Sequence, residues 1–321
     1  MPSSPRLRVA SPSFSIHPVL RRELSERFPL ATYNDGGQRL AGTALVGFLR
    51  GAEGAVIGLE PITDDVLAAC PDLRIVAKYG VGLDNVDLEA CRRRGVAVGW
   101  TGGVNRRSVA ELVLCTMLAH CRNVFTTARL LREGEWRKDG GVQLSGRTVG
   151  IIGLGNTGRE VAALLAPFHC RILGNDIIEQ NDYCRDHGIE PASKDQVWAE
   201  SDIITLHTPL TPLTRTMVNA KTLAGVKPGA MLINTSRGEI VDLVALKQAL
   251  LHGPLGGAAL DVYDHEPPTD RELLTLPNII CTPHIGGNSN EAILAMGRSA
   301  IAHLAAHFTG GGVTDSGEAA P

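Results

Sequence analysis

The sequence predicts an α/β fold spread over more than one domain, and three observations lead there. The 321 residues exceed what one hydrophobic core ordinarily serves. Short apolar runs alternate with amphipathic stretches in two separate series, the rhythm of βαβ units. A Gly-x-Gly-x-x-Gly turn, Gly153-Leu154-Gly155-Asn156-Thr157-Gly158, stands directly after the apolar run that opens the second series.

In the first series strands are predicted at 7–10, 44–48, 55–57, 74–77 and 96–98, with helices at 19–27, 64–70 and 88–94. A long helix follows over 105–132, with Ser108 as a candidate cap and an apolar face through Val109, Leu112, Val113 and Met117. Its length suits a spacer between domains. In the second series strands are predicted from Thr148, then at 171–175, 202–206, 231–234, 258–260 and 279–281, with a helix at 159–165 after the glycine turn. Near-continuous apolar strands imply a parallel sheet covered on both faces. A last helix is predicted over 291–308, and the polar, glycine-rich tail 309–321 is expected to be disordered.

With 44% apolar and 20% charged residues the chain reads as globular, and no apolar run reaches membrane-spanning length. A formal net charge of -3 gives no electrostatic reason to expect nucleic acid or an acidic membrane as partner. The first ten residues lack the apolar core and cleavage site of a secretory signal, so a cytoplasmic location is expected. Cys70, Cys91, Cys115, Cys121, Cys170, Cys184 and Cys281 are odd in number and without metal-ligand spacing. They read as reduced thiols filling buried or half-buried apolar positions, and no metal site is expected.

In the glycine turn Gly153 would allow the tight bend, Gly155 the approach of backbone to a pyrophosphate, and Gly158 the packing of helix on strand. The helix that follows offers free N–H groups and a positive dipole end to phosphates. Asp176, ending the next strand, can accept hydrogen bonds from the adenosine ribose hydroxyls. Its carboxylate would repel a 2′-phosphate, and Ile177 and Ile178 supply no arginine to neutralise it. The expected cofactor is NAD in preference to NADP.

Five further segments complete a pattern: Tyr79-Gly80-Val81-Gly82-Leu83-Asp84-Asn85-Val86-Asp87, His207-Thr208-Pro209-Leu210-Thr211, Ile233-Asn234-Thr235-Ser236-Arg237-Gly238, Leu260-Asp261-Val262-Tyr263-Asp264-His265-Glu266-Pro267-Pro268 and Thr282-Pro283-His284-Ile285-Gly286-Gly287. With the glycine turn they resemble the D-isomer-specific 2-hydroxyacid dehydrogenase family from about residue 44 to 305, and most of all its short 3-phosphoglycerate dehydrogenase-like members. The resemblance implies two Rossmann-like doubly wound parallel-sheet domains with an active-site cleft between them. Residues 1–102 plus 288–321 would form the substrate domain and 103–287 the NAD-binding domain.

By the same resemblance Arg237, Glu266 and His284 are the catalytic residues. Hydride transfer to a keto acid builds negative charge on its carbonyl oxygen, which a protonated imidazole, His284, can stabilise and protonate. Glu266 would keep that imidazole charged and oriented, and the planar Arg237 fork would clamp the substrate carboxylate. Lys78, Tyr79, Gly80, Val81 and Gly82 match the family's substrate-carboxylate loop, whose N–H groups can form an anion-binding nest. Lys78 either serves a second anionic group on the substrate, phosphate or phosphonate, or snorkels to solvent.

Cofactor contacts are implied at Gly153, Gly155, Asn156, Thr157, Gly158, Asp176, His207, Thr208, Pro209, Thr235, Ser236, Arg237, Asp261, His284 and Gly286. Asn105, Arg106 and Arg107 would make cofactor and hinge contacts, or else form a solvated charged turn. The resemblance also implies a homodimer formed through the long helix, and no serine feedback, since no regulatory domain follows Phe308. Relatives that act on phosphite, phosphonate or formate, or that serve as NAD-sensing corepressor-like binding proteins, supply the alternative readings. Asn175 departs from the pattern, where an aromatic residue often precedes the acid.

Overall fold

The computed structural model describes residues 4–310. Two compact units divide the chain: residues up to Asn105 together with those from Asn290 on, and Arg106–Ser289.

In the first unit β1 (Leu7–Val9), β2 (Thr32–Tyr33), β3 (Gly54–Ile57), β4 (Ile75–Lys78) and β5 (Ala97–Gly99) form a parallel sheet in the order β2-β1-β3-β4-β5. Successive strand residues serve opposite faces. Ala55, Ile57 and Val76 join one core with Leu45 and Leu49, while Val56, Ile75 and Ala77 join another with Ala300, Ile301 and Leu304 of the helix Asn290–Thr309. Burial on both faces is why these strands read as unbroken apolar runs. The helix Leu88–Arg94 matches its predicted bounds because its ends are chemically marked: Asp87 accepts from Ala90 N at 2.8 Å, and Gly95 closes it at φ 69.

One prediction in this unit is corrected. Residues 44–48 form no strand; they lie within the helix Gly42–Leu49, whose fully buried Leu45 and Leu49 stand one turn apart. A short apolar run satisfies both periods, and here the helical one prevails. The helix Pro12–Ile16 and the two-residue β2 are too short for periodicity to register.

In the second unit β6 (Thr148–Ile152), β7 (Arg171–Asn175), β8 (Ile189–Pro191), β9 (Ile203–Leu206), β10 (Met231–Asn234), β11 (Gly257–Leu260) and β12 (Ile279–Cys281) form a parallel sheet ordered β12-β11-β10-β9-β6-β7-β8. The chain leaves β6 in one direction, returns beside it as β9 and continues the other way. The order therefore reverses between β6 and β9, the Rossmann-like switch point beside which ligands bind. Ile152, Ile204, Leu232 and Leu260 face one core; Ile151, Ile203, Ile233 and Ala259 face the other, with Ala110, Val113, Met117 and Cys121.

The single helix expected over 105–132 is two, Arg106–Cys121 and Val124–Arg132, separated at Asn123, whose φ of 51 is left-handed and stops the ladder. Ser108 is no cap: it lies inside the first of these helices. Of the expected apolar face Val113 and Met117 are buried, whereas Val109 and Leu112 are half-buried.

The seven cysteines are unbonded, and Cys115, contrary to expectation, is exposed. No helix among the described residues is long and apolar enough to cross a membrane. Thr309 still belongs to the last helix, and the rest of the expected tail beyond Gly310 lies outside the described residues.

Candidate active site

The implied site residues of the second unit all follow the C-terminal ends of parallel strands. After β6 the chain turns at Gly153, whose φ is 98 and where a Cβ would stand 2.7 Å from the His207 carbonyl carbon. The glycine thus lets the β6 turn sit against the His207–Thr208 segment that follows β9. A Cβ on Gly158 would lie 2.0 Å from Gly153 O, whereas one on Gly155 meets nothing within 4 Å. The open side is therefore at Gly155, where the helix Asn156–Leu165 begins without a side-chain cap. Asp176, following β7, accepts from Leu154 N at 2.7 Å and from Ile178 N at 3.1 Å, so the acid is locked to the turn. Asn175 donates to Ala192 O at 2.8 Å.

At the other half of the edge, His284 Nδ1 lies 3.0 and 2.9 Å from the two carboxylate oxygens of Glu266. Glu266 in turn accepts from Tyr263 N at 3.2 Å. His284 has φ 55, a left-handed conformation that needs support. Asp261 supplies it: 2% exposed, its carboxylate accepts from Thr282 Oγ1 at 2.6 Å, Ile285 N at 2.8 Å and Gly286 N at 2.7 Å. Ser108 Oγ donates to Gly286 O at 2.6 Å, which is where the residue predicted as a cap is used.

Arg237 begins the short helical turn Gly238–Ile240, and its Nη1 donates to Ser236 O at 2.7 Å. Asn234 shapes this loop, donating to Arg237 O at 2.8 Å and accepting from Ser236 N and Oγ. A Cβ on Gly238 would stand 1.9 Å from the Tyr263 carbonyl carbon, so the Arg237 loop packs backbone to backbone on the segment that carries Glu266.

Burial pushes the imidazole of His207 down to about 3, leaving it neutral, with Nε2 2.9 Å from Thr205 Oγ1. Two hydroxyls at the same edge, Thr208 Oγ1 and Thr235 Oγ1, are buried without a hydrogen-bond partner among the described residues. A buried hydroxyl without a partner calls for an explanation, and a polar ligand at this edge would supply one for both. With the open Gly155 side they fit the dinucleotide, which Gly153–Gly158, Asp176, Thr208 and Thr235 would hold.

Sequence reasoning missed Tyr263 as a separate support. Its hydroxyl lies 3.2 Å from Leu260 O and 3.1 Å from Thr282 O, tying the ends of β11 and β12, and burial pushes its phenol up. Its place in the segment 260–268 was the available signal. Arg106 and Arg107 both pair with Glu160, and Arg107 also with Glu111, as a charged surface would.

In the first unit Lys78 is 4% exposed and does not snorkel to solvent. Its Nζ donates to Gly58 O and, at 2.6 Å, to Asn85 Oδ1, beneath the loop it was expected to arm. Trp100 Nε1 holds that loop from the side through Val81 O at 2.7 Å. Among the described residues no backbone carbonyl takes the N–H groups of Gly80, Val81 or Gly82.

Over residues 114–286 the chain matches the model of the D-isomer specific 2-hydroxyacid dehydrogenase, NAD binding domain. It is 39% identical to a Rattus norvegicus D-3-phosphoglycerate dehydrogenase over 80% of this chain and 50% of that protein. The chain thus spans about half the length of the phosphoglycerate dehydrogenases it matches. It is likewise 39% identical to a Thermotoga maritima hydroxypyruvate reductase, over 72% of this chain and 76% of that one. The crystal structure of an Aquifex aeolicus D-lactate dehydrogenase complexed with NAD and lactic acid, 25% identical, superposes with a TM-score of 0.83 over 95% of each chain. The NAD-binding domain match, the strand order and these relatives agree: the chain belongs to the D-isomer specific 2-hydroxyacid dehydrogenase family.

Proposed function

We propose that the chain is an NAD-dependent oxidoreductase that moves a hydride between the nicotinamide and C2 of a small D-2-hydroxy or 2-keto acid. The pairing of His284 Nδ1 with both oxygens of Glu266, at 2.9 and 3.0 Å, carries this reading. A carboxylate on Nδ1 keeps a proton there and turns Nε2 toward the substrate. NADH, when bound, supplies the hydride. As negative charge grows on the C2 oxygen, His284 Nε2 gives it a proton, and in the reverse direction takes one. Arg237 holds the substrate carboxylate and polarises the C2 oxygen, and the N–H groups of Gly80, Val81 and Gly82 add an anion-binding nest.

The relatives' names include a phosphorylated and an unphosphorylated acid, so substrate charge is decided by assay. NADH oxidation with a panel of 2-keto acids, phosphorylated and phosphonylated members included and NADPH compared, tests the whole reading. NADH binding without turnover on any of them would favour an NAD-sensing binding protein.

The working form is a homodimer built on the segment after Asn123. Val124, Phe125, Leu131 and Trp136 are 50%, 56%, 57% and 77% exposed there, an apolar strip suited to burial by a second copy. Light scattering of the eluting protein checks it, a monomer at micromolar concentration being the contrary result. Seven unbonded thiols suit a reducing compartment such as the cytoplasm.

A further inference from the structure

We infer that Arg159 is a second determinant of cofactor choice, a cation already standing beside the adenosine-ribose position, which Asp176 alone keeps from receiving a 2′-phosphate. The inference rests on the NAD-dependent reading above.

Leu154, in the glycine turn, is gripped from both sides. Its N–H donates to Asp176 Oδ2 at 2.7 Å, and its carbonyl accepts from Arg159 Nε at 2.9 Å. The carboxylate and the guanidinium therefore address one residue's backbone from its two polar ends. Beyond Leu154 the guanidinium reaches Gln180, whose Oε1 accepts from Nη2 at 2.6 Å and from Nε at 3.2 Å. Its central carbon lies 4.1 Å from the centre of the Tyr183 ring, a cation–π contact. Gln180 belongs to the segment that Asp176 opens, so the chain after β7 carries an anion at its start and, a few residues on, the amide that anchors the Arg159 guanidinium.

The sequence suggested the opposite, because Ile177 and Ile178, directly after Asp176, supply no arginine. The fold brings one from the helix that follows the turn. No carboxylate lies within 4.0 Å of Arg159 among the described residues, and its side-chain partner is the neutral Gln180. A phosphate offers a guanidinium two charged acceptors in place of one amide oxygen, so it would displace Gln180 readily. What opposes it is the Asp176 charge, which repels a dianion at the same ribose.

Equilibrium binding of NADH and NADPH, followed by nicotinamide fluorescence without substrate, tests this on the unaltered protein and on Asp176→Ser, Asp176→Ser/Arg159→Gln and Asp176→Ser/Arg159→Lys. The ratio of the NADPH to the NADH dissociation constant should fall about tenfold or more in Asp176→Ser. It should return most of the way with Arg159→Gln, and less far with Arg159→Lys, which keeps the charge but loses the fork. Thermal melts establish that each variant is folded, and the lysine variant carries the test if the glutamine one is not. A ratio equally low with and without Arg159, or unmoved by Asp176→Ser, overturns the inference. Failure of the unaltered protein to bind either dinucleotide would instead overturn the NAD-dependent reading.

Discussion

The two halves of the second unit's sheet edge are built by different means. Beside β6 and β7 the backbone is the main feature: Gly153 and Gly158 remove Cβ atoms that would strike backbone, a helix starts without a cap, and the one carboxylate there, Asp176, grips the turn through the Leu154 N–H. Beside β11 and β12 the features are side chains, and each is held by another, His284 by Glu266 and the His284 turn by Asp261 and Ser108. The first half should therefore fail in binding and the second in chemistry. That division is open to direct attack.

The largest effect is expected from His284→Ala, which should leave NADH binding nearly intact and cut turnover by about two orders of magnitude or more. Single-turnover kinetics beside a fluorescence titration separate the two, and a variant that keeps most of its turnover removes His284 from the mechanism. Gly153→Ala should do the reverse. With φ at 98 and backbone 2.7 Å from the new Cβ, the turn must distort at a cost of about 1–3 kcal/mol. Its dissociation constant for NADH should rise about tenfold or more, and unchanged affinity would show that the turn is not where the dinucleotide sits.

Smaller effects sharpen the comparison. Asp261→Asn places an amide NH2 among three donors, costing about 1–3 kcal/mol at the His284 turn. A kcat lower by about tenfold with NADH affinity little changed is expected; a loss confined to affinity would make Asp261 a direct cofactor contact. His207 tests the seam between the halves by pH. Its imidazole falls from 6.5 unfolded to about 3 folded, so the folded state binds fewer protons and stability is lost as pH drops from 6.5 toward 3. In His207→Gln the melting temperature should decline less over that window, and an identical decline would assign it to other groups.

How far the sequence could be read follows the same division. Strands buried on both faces were visible as apolar runs, and the glycine turn because no other residue fits at Gly153 or Gly158. The segment 44–48 was misread because a five-residue run of four apolar residues and a glycine does not distinguish two periods, and the break at Asn123 because one left-handed residue leaves no periodic trace. Residues that hold other residues were the least legible. The roles of Asp261, Tyr263 and Ser108 each depend on a partner 19 or more positions away, a proximity created only by folding.

Lys78 is the sharpest instance, and the smallest expected effect. By type and place, a cation before a glycine-flanked loop, it suggested a contact to a second anionic group. Its ammonium is instead buried beneath the loop on Gly58 O and Asn85 Oδ1, while Asn85 Nδ2 donates to Glu60 O at 2.6 Å. A side chain committed in this way shapes the loop for every substrate alike. Lys78→Met keeps most of the stem's packing and removes the donors, so it should lower the melting temperature and raise KM several-fold, about 1 kcal/mol, by the same factor for pyruvate, glyoxylate and a phosphorylated keto acid. A rise about tenfold greater for the phosphorylated acid alone would return the ammonium to the substrate, because a charge acting only through loop shape has no means to distinguish a dianion from a monoanion.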